Sequence, residues 1–230
     1  LSATGTRFRK DKQGVIPMII NQYYAERVQI KNQMLASKQK YEQNKTKVLE
    51  NEINTLENQQ MAIKILMNSL YGALGNNFFR YFDIRIAEAI TISGQLAIRW
   101  AERSINKTMN ELLKTADVDY VIAIDTDSLY INMEALVNKF NPNDPVKFLD
   151  KVCEEHFEKI LEKAYAELAT TVNAYDNRMV MKREVIADRG IWVAKKHYIL
   201  NVHNSEGVQY AKPKMKMIAV SYTHLRAHET

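Results

Sequence analysis

Pro17 suits the first turn of a helix, and after it to about Val48 the chain is polar, built of long side chains and free of glycine and proline, the pattern of an extended, exposed helix. A second helical stretch runs from about Asn54 to Leu74. Nothing between the two interrupts the chain more strongly than Asn44 and Thr46, so they are expected to fold back as an antiparallel helical hairpin with its tip near residues 44 to 47. That geometry sets the neighbours across the hairpin. With its centre between residues 45 and 46, Arg27 falls opposite Lys64 and Lys31 opposite Gln60. Arg27 and Lys31 are four apart on one helix face, as are Gln60, Lys64 and Asn68 on the other. Three cations on one surface are either ordinary solvated side chains or, because they repel, the walls of an anion site.

A chain of 230 residues with 46% hydrophobic content can bury the core of one large domain or two small ones, which excludes a disordered segment. Lys and Arg outnumber Asp and Glu by 32 to 27 and the pI is near 9.1, a balance compatible with a polyanionic partner without demanding one. Cys153 is the only cysteine, so no disulfide framework exists and a reducing compartment is expected. It falls on the apolar stripe of a helix, as a buried structural thiol does. No signal peptide opens the chain, and no apolar run approaches the roughly 18 residues needed to span a bilayer. A soluble cytoplasmic protein without a membrane partner is expected. Leu1 is not an initiator methionine and residues 1–14 read as an interior loop, so the chain is expected to be part of a longer one.

Gly72, Gly75, Asn76 and Asn77 close the second helix, and the aromatic cluster Phe78, Phe79, Tyr81 and Phe82 follows, which is core more often than a base-stacking platform. Asp83 is placed to cap a third helix reaching about Lys114, with Ala97, Ala101, Ile105, Met109 and Leu112 inward. Asp144 followed by Pro145 opens another helix that runs to about Thr170, with Leu149, Cys153, Phe157, Ile160, Ala164 and Leu168 along its apolar stripe. Two strand-like segments come after it, Met179 to Ala187 and Ile191 to Val202, broken by Asp188, Arg189 and Gly190. The fold class expected is α+β, an antiparallel sheet backed by long helices beside the helical hairpin.

Between the apolar runs Tyr120 to Ile124 and Leu129 to Ile131 stand Asp125, Thr126, Asp127 and Ser128, a β-hairpin with two carboxylates at its tip. On an extended strand Asp125 and Asp127 point to the same side and can converge on one cation while Thr126 faces away. Such carboxylates suit Mg²⁺, a hard ion that shares its shell with phosphates, although a solvated acidic turn has the same appearance. Lys64, Asn68, Tyr71 and Gly72 fall along one helix face, where a flat base pair could lie while its triphosphate meets the cation. The alternative is a core tyrosine followed by a glycine cap.

Lys64 to Gly72 resembles motif B of family B DNA polymerases, K-x3-N-S-x-Y-G, and Asp125 to Ser128 resembles their motif C, D-T-D-S. Lys195-Lys196-His197-Tyr198 is similar to the K-K-R-Y element that follows. The three stand in the family's order, and the strings Asn68 to Gly75 and Met181 to Ile186 look most like replicative polymerases of tailed bacteriophages. The likeness covers roughly residues 5–217. It implies a fingers domain at 15–74 entered from a palm loop at 1–14, a palm at 75–212, and the start of a thumb at 213–220. It implies DNA-directed nucleotidyl transfer to a primer 3′-hydroxyl with two Mg²⁺ ions, on primer–template DNA and dNTPs. A sliding clamp reached through missing C-terminal sequence is a further partner that it admits, and host cytoplasm is the expected place if the source is viral.

By the same resemblance Arg27, Lys31 and Lys64 bind the incoming triphosphate, while Asn68 and Tyr71 support the nascent base pair. Asp125 and Asp127 are the catalytic metal ligands, Glu184 lies near the metal site, and Lys195, Lys196 and Tyr198 hold the duplex. The chain departs from the pattern in Ala123-Ile124 before the aspartates, where a β-branched residue is less tolerant of a bend, and in His197 where arginine is usual. Its fingers hairpin is short. Motif A, with its aspartate, is not in this chain, so the chain alone is expected to bind metal poorly and not to polymerise. Ser221 to Thr230 does not continue the family pattern and is expected to be a non-native tail. A non-catalytic nucleic-acid-binding relative and a metal-dependent phosphodiesterase are the alternatives.

Overall fold

The computed structural model describes residues 1–218. The fold is α+β, as expected, and the chain divides into two compact units, Leu1–Ser104 with Leu161–Val180, and Ile105–Ile160 with the residues from Met181 onward. Among the described residues no helix is long and apolar enough to cross a membrane.

In the first unit α1 (Val15–Gln43) and α2 (Lys47–Leu74) form the helical hairpin. Its tip is Asn44, Lys45 and Thr46, where the Thr46 hydroxyl accepts from the Leu49 amide at 3.3 Å. That cap starts α2 seven residues before Asn54, since nothing from Lys47 onward opposes helix formation. Buried Met34 and Ile53 are joined by polar bridges, Ser37 Oγ to Glu52 at 2.9 Å and Lys38 to Glu57 at 3.1 Å. Asp83 Oδ1 accepts from the Arg85 amide at 3.0 Å ahead of α3 (Ile84–Leu113). On α3, Ala97, Ala101, Ile105 and Met109 are buried as expected, whereas Leu112, in the last turn, is exposed.

The second unit begins with the last turns of α3, whose asparagines clamp the segment that follows. Asn106 Oδ1 accepts from Tyr120 N at 2.9 Å, and Asn110 exchanges bonds with Val118 N and O at 3.0 and 2.8 Å. This aims β1 (Val121–Asp125), which pairs antiparallel with β2 (Ser128–Ile131). A short helix not foreseen from sequence, α4 (Glu134–Phe140), precedes α5 (Pro145–Val152). Asp144 caps α5, accepting from Lys147 N at 3.1 Å, and Pro145 opens it as expected. The single long helix expected there carries a π-helical turn, Cys153–Phe157, before α6 (Glu158–Thr171). Burial pushes the Cys153 thiol up to about 11, as suits a structural cysteine.

The second sheet is antiparallel with strand order β3 (Val185–Ala194), β4 (His197–Ser205) and β5 (Val208–Ile218). Two expectations change here. Residues 179–184 are not strand, and β3 continues through Asp188, Arg189 and Gly190, with a register irregularity between Ala187 and Arg189; β5 is a further strand and takes in residues 213–218. Gly190 is needed for room and not for a break, because the Trp192 ring lies where a side chain on residue 190 would go. One sheet face buries Tyr198, Leu200 and Val202, with Tyr130, Trp192 and Tyr210 against them. Residues 221–230, read as a tail, lie outside the described residues.

Candidate functional site

The acidic hairpin forms where the sequence places it, with a tighter tip than an extended strand would give. Asp125 pairs with Ser128, and Thr126 and Asp127 make a two-residue turn. The Asp127 amide donates to the Asp125 carbonyl at 2.7 Å, with Thr126 between them at φ 56°. A β-branched residue rarely adopts that left-handed backbone, so the tip is strained. Ile124 pairs regularly with Leu129, and the register irregularity falls earlier, between Val121 and Ala123. Thus the β-branched departure before the aspartates does not bend the hairpin at its own position. Thr126 Oγ1 donates to Asp125 Oδ1 at 3.1 Å. Asp125 is three-quarters covered, and Asp127 is exposed.

Lys195 and Lys196, expected as neighbours on a strand, instead form the two-residue turn between β3 and β4, since Ala194 pairs with His197. Lys196 has φ 62°, and its ammonium lies 3.8 Å from Asp125 Oδ1. A basic turn and an acidic turn therefore meet within the second unit. Below them Tyr130 donates its hydroxyl hydrogen to Tyr198 at 2.6 Å, and both rings pack with Trp192. Tyr198 is 8% exposed and so lies beneath the surface that Lys195 and Lys196 occupy. Burial, then the Tyr198 bond, then the negative charges of Glu184 and Asp125 hold the Tyr130 phenol well above its ordinary value.

Glu184 is not gathered with the two aspartates. It immediately precedes β3, and Lys216 of β5 donates to it at 2.8 Å. Among the described residues no three His, Cys, Asp or Glu side chains form a metal-ligand group. Asp125 and Asp127 alone offer hard oxygen donors, which fit part of a divalent cation's shell and not all of it.

In the first unit Lys64, Asn68, Tyr71 and Gly72 share an exposed face of α2. Tyr71 is 39% exposed, so it is not a core residue, and Gly72 is inside the helix, which Gly75 caps. Nothing lies within 4 Å of where a Gly72 side chain would start, so no neighbour in the chain requires a glycine there. Arg27 and Lys31 are half-buried on α1. Arg27 is bonded to Gln60. Its Nε donates to Gln60 Oε1 at 3.2 Å, one turn nearer the tip than Lys64, because the buried Gln60 amide takes the partner within reach. The aromatic cluster is also not core, with Phe78 98% and Tyr81 61% exposed.

Four further residues support these positions. Arg183 ties the approach to β3 through the Asp150 carboxylate and, at 2.6 Å, Asn204 Oδ1. Tyr130 and Trp192 were readable only as strand aromatics. Lys216 had a usable signal, the period-two alternation of Lys212, Lys214 and Lys216 with Pro213, Met215 and Met217.

A sequence model described as DNA polymerase family B matches residues 2–221. The chain is 31% identical to a DNA-directed DNA polymerase of Escherichia phage RB69 over 95% of its own length and 30% of that protein. It is 40% identical to the DNA-directed DNA polymerase of Enterobacteria phage T4, over 72% of this chain and 20% of the relative. DNA polymerase 1 of Pyrococcus abyssi is 30% identical over 85% of this chain and 20% of its own. The chain thus spans less than a third of the curated relatives it matches.

Proposed function

Since this chain belongs to DNA polymerase family B, we propose that it supplies fingers and palm residues to a DNA-directed DNA polymerase that extends a primer 3′-hydroxyl with dNTPs. The observation that carries the reading is the meeting of the two turns in the second unit, with Lys196 Nζ 3.8 Å from Asp125. Carboxylates beside an exposed lysine pair suit a place where a phosphate backbone arrives next to a bound divalent cation.

Asp125 and Asp127 would hold Mg²⁺ together with carboxylates from the rest of the whole protein, which their partial donor set requires. Glu184, whose Oε1 accepts from Lys216, would lie near them just before β3. When bound, paired divalent ions neutralise phosphoryl charge and make the attacking hydroxyl more acidic. The remaining work falls to side chains of this chain. Arg27, Lys31 and Lys64 neutralise the incoming triphosphate. Asn68, Tyr71 and the bare backbone at Gly72 present a flat exposed surface to the nascent base pair. Lys195 and Lys196 take phosphates of the duplex. Tyr198, being buried, acts in duplex holding by seating that turn. Phe78 and Tyr81 offer a stacking surface for unpaired template bases. Template-directed synthesis belongs to this reading, in host cytoplasm if the source is viral, and it leaves room for a clamp that binds through sequence outside this chain. With only two carboxylates at the turn, the 230-residue chain alone would not catalyse it.

The test is primer extension by the whole protein carrying Asp127→Asn. Loss of extension by about a hundredfold to a thousandfold is expected, on the scale of removing an element that stabilises the charged transition state. Normal extension overturns the reading. Retained duplex binding with no extension by the unmodified protein points to a non-catalytic relative, and DNA hydrolysis without dNTPs to a phosphodiesterase.

A further inference from the structure

The hairpin that carries Asp125 and Asp127 shares no ladder with the sheet that carries Lys195 and Lys196. A two-stranded hairpin is marginally stable by itself, and this one is strained at its tip, so its position depends on side chains that leave it. On the β1 side, Asn106 holds the chain at Tyr120, five residues before Asp125. On the β2 side, Tyr130 crosses to the second sheet. Its ring is 5.2 Å from that of Tyr198 and 5.4 Å from that of Trp192, both edge-on, and its hydroxyl meets the Tyr198 hydroxyl at 2.6 Å. Tyr130 is the third residue after the Thr126–Asp127 turn and Tyr198 the second after the Lys195–Lys196 turn. The bond therefore joins the two hairpins within three residues of the acidic and the basic turns.

Building on the polymerase reading, we propose that the Tyr130–Tyr198 hydrogen bond is a positioning latch that fixes the Asp125–Asp127 turn against the Lys195–Lys196 turn. The latch acts through the aspartates, holding their carboxylates at one height and one angle for the cation they share. Rigidity comes from below. Tyr198 is buried, and Trp192 stacks on it with centroids 6.1 Å apart, so the acceptor hydroxyl has little freedom. Tyr130 remains a protonated donor throughout the neutral range, because its phenol is held above its usual value. Phenylalanine at either position keeps the ring packing and removes only the bond.

The experiment uses the whole protein with Tyr130→Phe, Tyr198→Phe and both together, in primer extension titrated with Mg²⁺ and with dNTP. Each single variant should raise the Mg²⁺ concentration for half-maximal rate and lower kcat, on the order of tenfold as outer-shell supports do. The KM for dNTP should hold within about twofold, and the double variant should match either single one, because all three remove the same bond. Unchanged Mg²⁺ dependence and kcat in both single variants overturn the latch. Effects that multiply in the double variant also overturn it, since the tyrosines would then act separately. A fall in thermal midpoint with Mg²⁺ dependence intact reduces the pair to packing and likewise overturns it. If one variant fails to fold, the other carries the same test from the opposite side of the bond. An unmodified protein that extends no primer sinks the polymerase reading instead, a result distinct from all of these.

Discussion

Gly190→Ala isolates the packing beneath the two turns. Gly190 pairs with Leu200 across the β3–β4 ladder, and the Trp192 indole folds back over it from two residues ahead. A methyl on residue 190 would stand 2.6 Å from Trp192 Cη2 and Cζ3 and 2.8 Å from Leu200 Cδ2. Carbon atoms in contact sit about 3.5–4.0 Å apart, so the overlap is about 1 Å against two groups at once. Leu200 is buried at 5% exposure and the indole is wedged against Tyr130 and Tyr198, so neither has an easy way out. Overpacking of this kind costs about 1–3 kcal/mol, and 2 kcal/mol in a chain of this length lowers the melting midpoint by about 4–8 °C. The assay is urea denaturation followed by circular dichroism, repeated in a Trp192→Phe background. There the outer indole ring is absent and the alanine should cost under about 1 kcal/mol. A Gly190→Ala protein within about 0.5 kcal/mol of the parent, or an equal cost with and without the indole, refutes the steric account.

Two further outcomes follow from interactions beside the site. Arg183→Met should destabilise the protein by about 1–2 kcal/mol in the same denaturation assay, because it takes the charged partner from Asp150 and one of the two donors from the buried Asn204 Oδ1, which keeps Gly207 N, while retaining the aliphatic bulk. Alkaline stability should depend on Tyr130, whose folded phenol is raised above the ordinary value of 10.0. The contribution is fully present below that value and is lost as pH climbs toward the folded one, since only the unfolded chain sheds the proton readily. Tyr130→Phe should therefore flatten the fall in stability above about pH 10, read as the difference between the two proteins' pH–stability curves.

The helical hairpin was legible because its signal is one-dimensional. A long run without breakers becomes helix, and the one weak interruption becomes the tip, where Thr46 supplies the cap. Caps at Asp83 and Asp144 were equally local. What failed depended on contacts across the chain. Gly190 reads as punctuation in a linear sequence, yet its reason is a tryptophan ring and a leucine on the next strand. Phe78 reads as core by composition and is almost wholly exposed, because no periodic apolar stripe in residues 76–83 commits it to a face. The Arg27 bond to Gln60 was likewise not legible, since a long side chain reaches along the hairpin to a buried amide.

At the candidate site the residue identities were readable and the backbone was not. Neither functional turn uses glycine or asparagine where the chain turns left-handed, which falls instead on Thr126 and Lys196. Residues chosen for easy turning would have announced both turns, as Gly207 does in the β4–β5 connection. Here the tip positions are occupied by groups that bear on phosphate and metal chemistry, and the cost of the awkward backbone must be offset elsewhere. The offset lies directly beneath, in the Tyr130, Trp192 and Tyr198 rings and the hydroxyl bond between the tyrosines. A packed aromatic layer can hold a strained turn that a solvated hairpin would relax. The strength of that layer, more than the propensity of the turn residues, therefore sets how firmly Asp125 and Asp127 are presented.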